Sequence, residues 1–277
     1  MIRKADVIDL ILLALREDIG AGDITTGAIF NGTEPGSARV VAKEEGVFCA
    51  GGIPALVYGE LNPSVAIKFS ADDGSAVRPG DTVLELSGPV SAILTGERTV
   101  LNFLQRMCGI ATAVSRACRL LEGTGIRLLD TRKTAPGMRV LDKYAVRTGG
   151  GTNHRFGLHD MVMIKDNHIR AAGGIREAVA RVRRVHGSKY KIEVEATNLD
   201  EVRDALEAGA GIVMLDNMDA GEMARAVELI GARAETEVSG NVTEERLASL
   251  RGLGISYISM GSLTHSVKAF DLSMKFL

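Results

Sequence analysis

Along the second half of the chain, apolar and polar positions repeat in one rhythm. From about residue 126 a short apolar run is followed each time by roughly 10 to 15 residues of helical periodicity, the pattern of βα units. The strand candidates are 126–130, 161–166, 191–196, 211–217, 234–240 and 255–261. Helical patterns at 174–185, 199–208, 220–230 and 243–250 lie between them, several opening with an Asn, Asp or Thr suited to N-capping. Six such units imply a parallel sheet. With no GxGxxG after the first strand, the pattern favours a TIM-like α/β barrel, complete or incomplete, over a dinucleotide-binding sheet.

The first half has another texture. An amphipathic helix over 6–16 precedes β-like runs at 37–49, 65–70 and 82–86, separated by Gly and Pro turns, which predicts an antiparallel α+β domain. A long helical pattern from 91 to about 122, with a break expected near Gly109, leads into the barrel. The expected division is 1–112 and 113–277, with the extreme C-terminus expected as a helix packing back on the N-terminal domain.

Composition narrows the class. Apolar residues are 45% and charged residues 25% of the 277, as in ordinary soluble domains. A chain of this length buries roughly 75% of its unfolded surface and needs no disulfides for a core. The odd set Cys49, Cys108 and Cys118 contains no CxxC pair, so it suggests neither a disulfide framework nor a zinc site. The apolar stretch 7–15 is interrupted by Asp9 and followed by no cleavage site, and no apolar run reaches membrane-spanning length. A cytoplasmic protein without a membrane partner is expected. Tryptophan is absent and aromatics are 4%, which argues against stacking platforms for single-stranded nucleic acid.

The formal net charge of −2 excludes a generic polyanion binder, but it is unevenly distributed. The 44 residues 127–170 hold nine basic and four acidic residues, net +5, leaving −7 for the other 233. The cations cluster near strand ends and Gly-rich turns, as expected for a small, multiply anionic substrate.

Each strand candidate ends in polar or glycine residues: Asp130 before Thr131, Arg132 and Lys133; Lys165; Glu195; Asp216; Ser239 and Gly240; Ser259, Met260 and Gly261. That edge of a parallel barrel is the catalytic face, although strands also end simply where polar loops begin. Alternation places Glu193 with Glu195, and Glu235 with Glu237 and Ser239, on one face each. Inward carboxylates need partners, so an ionic interior with Lys165 and arginines as counterions is expected.

Gly149–Gly151 is by itself only a flexible loop. Between two barrel strands and beside Arg147 and Arg155, it can wrap an anion or let His154 and Arg155 reach inward. His159, His168 and His186 are read as structural. Glu195 and Asp216 form a hard-oxygen pair suited to Mg²⁺ with substrate phosphates. Ser239–Gly240–Asn241 and Ser259–Met260–Gly261 sit at the last two βα turns, where barrels commonly hold phosphate.

Together, LREDIGAGDITT (15–26), ERTVLNFLQRMCGIAT (97–112), DTRKTAPG (130–137), KYAVRTGGGTNH (143–154) with Arg155, KDNH (165–168), EVEA (193–196), Asp216-Asn217 and GSLTHSV (261–267) resemble the quinolinate phosphoribosyltransferase family, the carboxylating nicotinate-nucleotide pyrophosphorylases, over essentially the whole chain. The resemblance implies an N-terminal α/β sandwich, an incomplete α/β barrel, and a homodimer with shared active sites. It also implies the reaction of quinolinate with phosphoribosyl pyrophosphate to nicotinate mononucleotide, pyrophosphate and CO2, with Mg²⁺ and no organic cofactor, in NAD biosynthesis. Carried over residue by residue, Arg132, His154, Arg155 and Lys165, with Arg98 from across the dimer, match the quinolinate pocket. Lys133 matches the lysine near pyrophosphate and ribose, and Glu195 and Asp216 match the ribose and Mg²⁺ carboxylates. Thr131 and the turns Ser239–Asn241 and Ser259–Gly261 fall to the phosphorylated substrate. Asn241 departs from the glycine many members carry, which bears on phosphate affinity. Two rivals remain at this point: a related pyrophosphorylase-like protein with another acceptor, and a non-catalytic phosphate-binding module.

Overall fold

The computed structural model describes residues 1–277. In chain order its first half comprises α1 (Ile8–Ile19), α2 (Thr26–Ile29), β1 (Pro35–Ala42), β2 (Gly46–Val47), α3 (Ile53–Leu61), β3 (Ala66–Ser70), β4 (Ala76–Val77), β5 (Thr82–Pro89) and α4 (Val90–Leu120). Then follow β6 (Arg127–Leu129), α5 (Arg139–Thr148), β7 (Val162–Ile164), α6 (Asp166–Ala172), α7 (Ile175–His186), β8 (Ile192–Ala196), α8 (Leu199–Glu207) and β9 (Ile212–Asp216). The last elements are α9 (Ala220–Ile230), β10 (Glu235–Ser239), α10 (Glu244–Leu250), β11 (Tyr257–Ser259), α11 (Ser262–His265) and β12 (Leu272–Phe276). Two compact units divide the chain: Met1–Ser115 with Thr134–Gly150 and Leu263–Leu277, and Arg116–Lys133 with Gly151–Ser262.

The first unit is built on an antiparallel sheet of order β12-β1-β5-β3. Its apolar face contributes Val40, Leu84 and Leu86, all essentially inaccessible to water. Helix α1 presents Ile11 and Leu15, one turn apart, as its buried stripe. Two expectations are corrected in this unit. The extreme C-terminus is a strand, not a helix: five residues are too few for a stable isolated helix, but they pair Ala38–Ala42 along an edge of β1 that would otherwise be open. Helix α4 runs through Gly109 without a break. A Cβ at Gly109 would stand 2.2 Å from the Lys268 carbonyl oxygen, so the glycine lets two backbones approach and does not mark a helix end.

All six strands read in the second half form one parallel sheet, order β6-β11-β10-β9-β8-β7. Neighbours follow chain order from β7 to β11 and then return to β6, the order of a barrel left open between β6 and β7. Asn198, Asp219 and Thr243 cap α8, α9 and α10 by accepting main-chain N–H bonds, as their positions predict. Val194, Val213, Leu215, Val238 and Ile258 fill the apolar face. On the opposite face Glu195, Met214 and Glu237 stand side by side in register across β8, β9 and β10.

Candidate active site

The C-terminal ends of the six parallel strands surround a cavity of about 380 Å³, within the size range of small-molecule sites. Thr131, Arg132 and Lys133 enter it from the segment after β6, and Lys165 from the end of β7. Glu195 of β8, Asp216 of β9, Ser239, Gly240 and Asn241 after β10, and Ser259 of β11 complete the rim. His154 and Arg155, from the loop between β6 and β7, line it as well. The fold thus brings nearly every candidate together. Met260 and Gly261 are not among the lining residues, and Arg98 is an exposed residue of α4 in the first unit.

The cations are held by specific local structure. Lys165 is the N-cap residue of α6; its main-chain N–H donates to His168 Nδ1 at 3.0 Å, giving His168 the structural role its sequence suggested. The Lys165 ammonium reaches Glu195 Oε2 at 2.7 Å, one of the ion pairs expected from alternation. Asp130, fully buried, accepts from Asn153 Nδ2 at 2.7 Å and from the His154 N–H at 2.8 Å, and so fixes the loop that carries His154 and Arg155. Burial, with the adjacent Arg132 cation, holds the Arg155 guanidinium below its ordinary value. Two guanidiniums close enough to repel each other create a positive field that an anion would relieve.

His154 reaches inward and meets two strand carboxylates. Its Nε2 stands 3.1 Å from Glu193 Oε2 and 3.4 Å from Glu237 Oε2, and both carboxylates are fully buried. Ser259 Oγ donates to Glu237 Oε1 at 2.6 Å. The partner of this carboxylate pair is therefore the histidine, where Lys165 and arginines are the counterions the sequence leads one to expect. Burial draws the His154 pKa down, but hydrogen bonding and charge from Glu193 and Glu237 outweigh it and raise it to about 9. Burial raises the Glu193 carboxyl. On the other side of the ring, His154 Nδ1 accepts the Arg155 N–H at 2.7 Å, which requires that nitrogen to be unprotonated. In that neutral form the ring proton belongs to Nε2, facing the carboxylates; the second proton, favoured below about 9, would displace the bond from Arg155.

His154, Glu193 and Glu237 offer three donor atoms within 4.8 Å of one another. A metal-binding imidazole usually donates its other N–H to an acceptor. Here Nδ1 faces a donor, the Arg155 N–H, so the triad fits an ion-paired cluster better than a metal centre, although both Glu193 oxygens and Glu237 Oε2 are left without a well-aligned hydrogen bond. Glu195 and Asp216 fit a hard cation better: each spends one oxygen on the protein, toward Lys165 and Asn217 respectively, and keeps the other for a ligand.

Asp130, Glu193, Glu237 and Asn217 escaped the list of candidates drawn from the sequence. Strand alternation did place Glu193 and Glu237 inward, and Asp130 closes a strand; their partners, from distant loops, carry no sequence signal. In the first unit, a Cβ at Gly149 would lie 2.4 Å from the Ala111 carbonyl oxygen, so this glycine of the triple serves close packing on α4.

Models of the quinolinate phosphoribosyl transferase N-terminal and C-terminal domains match residues 23–108 and 110–275. A probable carboxylating nicotinate-nucleotide pyrophosphorylase of Bacillus subtilis is 46% identical over 258 residues, covering 93% of this chain and 89% of the relative. A chloroplastic carboxylating nicotinate-nucleotide pyrophosphorylase of Arabidopsis thaliana is 43% identical, covering 98% and 82%. Among solved structures, NadC from Streptococcus pyogenes superposes with a TM-score of 0.95 at 40% identity, covering 100% of this chain and 99% of that one. The nicotinate-nucleotide pyrophosphorylase of Francisella tularensis gives 0.94 at 38%, covering 100% and 98%. With both domain models matched, and relatives above 40% identity covered over 89% and 82% of their own length, the chain belongs to the quinolinate phosphoribosyl transferase family.

Proposed function

We propose that this chain transfers the phosphoribosyl group of phosphoribosyl pyrophosphate to quinolinate with loss of CO2, giving nicotinate mononucleotide and pyrophosphate for NAD synthesis. The observation that carries this reading is the single cavity in which Arg132, Arg155 and Lys165 converge beside Glu195 and Asp216. A dicarboxylate acceptor and a phosphorylated sugar need those two kinds of wall. Guanidinium forks hold planar carboxylates in pairs and so fix the orientation of the pyridine ring.

Pyrophosphate departure leaves positive charge on the anomeric carbon. Glu195 and Asp216 are placed to stabilise that centre, and Lys133 to neutralise the leaving group. The ring nitrogen, held by the cation wall, then attacks the anomeric carbon. Once the nitrogen is quaternary, its positive charge stabilises the electron pair left on the adjacent ring carbon as the bond to the carboxylate breaks and CO2 leaves; that carbon then takes up one proton from solvent, so decarboxylation demands orientation above all. His154 serves this wall indirectly, as the neighbour of Arg155 in a loop fixed by Asp130, while its Nε2 faces Glu193 and Glu237. Mg²⁺ belongs to the same proposal, held by Glu195 and Asp216 with substrate oxygens; when bound it supplies charge neutralisation for the pyrophosphate. Thr131 and the Ser239–Asn241 segment would hold phosphate groups through main-chain N–H and hydroxyl donors; in the Ser259–Gly261 segment the Ser259 hydroxyl is given to Glu237 and the Met260 N–H to the Leu129 carbonyl.

The proposal includes a homodimer in which Arg98 of a second copy completes the quinolinate wall, and a cytoplasmic location. No helix is long and apolar enough to cross a membrane. The test is incubation of the purified protein with quinolinate, phosphoribosyl pyrophosphate and Mg²⁺, followed by chromatography for nicotinate mononucleotide. Product that disappears on chelation of the metal is expected. Binding of phosphoribosyl pyrophosphate indifferent to Mg²⁺, with no product formed, would favour a phosphate-binding module instead.

A further inference from the structure

Two non-glycine residues of the chain adopt positive φ, Asn217 at 54° and Asn241 at 48°, and they meet at one place. Asn217 follows β9, and Asn241 lies in the turn after β10. The strands are in register at their ends, Ser239 beside Asp216, and the Asn217 N–H donates to the Ser239 carbonyl at 3.2 Å. Side chains join what the backbones bring close. Asn241 Nδ2 donates to Asn217 Oδ1 at 3.1 Å, and Asn217 Nδ2 donates to Asp216 Oδ2 at 2.7 Å. Between them Gly240 has a φ of 91°, and a Cβ there would fall 2.3 Å from Asn217 Oδ1. From below, the Arg246 guanidinium donates to the Gly240 carbonyl at 2.9 Å and the Met218 carbonyl at 3.0 Å, strapping the two turns a second time.

Left-handed backbone at a non-glycine residue is unfavourable and persists where the surroundings enforce it, commonly at ligand clamps. Both residues here are asparagine, the side chain that tolerates this conformation best, and both use their amides on each other. A glycine at 241 would supply the same backbone but not the bond to Asn217.

We propose that Asn217 is a positioning residue that ties the Asp216 carboxylate to the Gly240–Asn241 turn, so that the ribose end and the phosphate end of phosphoribosyl pyrophosphate are gripped as one unit. This rests on the assignment of Asp216 and that turn made under the proposed function. The chain of bonds is linear, Asn241 to Asn217 to Asp216. Asn241 therefore acts on Asp216 only through Asn217, and residues coupled in this way give non-additive effects. Quinolinate, held by the cations of β6, β7 and their loop, is outside the chain.

The test compares the wild-type protein with Asn217→Gly, Asn241→Gly and the double variant, each of which keeps the backbone free to take positive φ. Calorimetric titration with phosphoribosyl pyrophosphate and Mg²⁺ in the absence of quinolinate gives Kd, and steady-state assays give KM for each substrate. Asn217→Gly is expected to weaken phosphoribosyl pyrophosphate about tenfold in both Kd and KM, the scale of a lost hydrogen bond to a charged group, with the quinolinate KM within about twofold of wild type. Asn241→Gly is expected to cost about threefold, and the double variant no more than Asn217→Gly alone. Should Asn217→Gly fail to fold, Asn217→Ser, neutral and too short to span Asp216 and Asn241 together, is read the same way. Unchanged Kd in these variants, equal rises of both KM values, or single effects that multiply in the double variant would overturn the inference. A wild type that binds phosphoribosyl pyrophosphate but yields no nicotinate mononucleotide would overturn the proposed reaction and leave the calorimetric test of Asn217 standing. A wild type that does not bind it overturns both.

Discussion

His154 meets two buried carboxylates with one nitrogen and a main-chain N–H with the other. Its midpoint reports a competition: Glu193 and Glu237 favour a second proton, while burial and the bond from the Arg155 N–H resist it. The carboxylates prevail, at about 9 against an ordinary 6.5. A histidine raised in the folded state contributes stability that is fully present below the unfolded value near 6.5 and is lost as pH climbs through about 9. NMR titration of the imidazole should therefore place His154 well above the ordinary histidine value, and Glu193→Gln should lower the His154 midpoint. A midpoint unmoved by that change would mean the carboxylates do not set it. Arg155→Lys keeps the charge but loses the fork and the delocalised plane. It should raise the quinolinate KM about tenfold or more while moving the phosphoribosyl pyrophosphate KM by less than threefold or so. At this scale the sequence disclosed residue types at strand ends but not their partners. The Lys165–Glu195 pair was foreseeable because both end inward strands; the Glu193–His154–Glu237 cluster was not, because its histidine arrives from a loop whose path depends on buried Asp130.

Elements were most legible where one periodicity ran uninterrupted. The six parallel strands and α7 to α10 follow their apolar spacing within a residue or two, with caps at Asn198, Asp219 and Thr243. Helix α3 was not legible: IPALVYGEL is apolar nearly throughout and does not distinguish a buried helix from a buried strand. Gly109 misled for a different reason, since a glycine required by a close backbone neighbour looks the same in sequence as one that ends a helix. Gly109→Ala tests that explanation. The added methyl would sit 2.2 Å from the Lys268 oxygen, so the variant should lose about 1–3 kcal/mol in urea denaturation even though alanine is the better helix former. Equal or greater stability would show that the contact relaxes at no cost.

For the molecule as a whole, the near-neutral total of −2 conceals a net +5 over residues 127–170, and the fold gathers much of that excess at one end of a parallel sheet. Such a concentration favours a small polyanion over a long one. The proposed sharing of the site between two copies has its own test. Arg98→Ala and Lys133→Ala proteins should each be inactive, and co-refolding them should recover activity in the fraction of sites that unite an intact Arg98 with an intact Lys133. No recovery from folded, mixed dimers would remove the shared site. What remains decisive is acceptor selectivity, because the cation wall was assigned to two carboxylates and nicotinate carries one. With phosphoribosyl pyrophosphate and Mg²⁺ in excess, kcat/KM is measured for quinolinate and for nicotinate, with CO2 release followed in parallel. A preference for quinolinate of at least about a hundredfold is expected, the scale of two lost charge-assisted bonds, with one CO2 released per nucleotide formed. Equal turnover of nicotinate would contradict it.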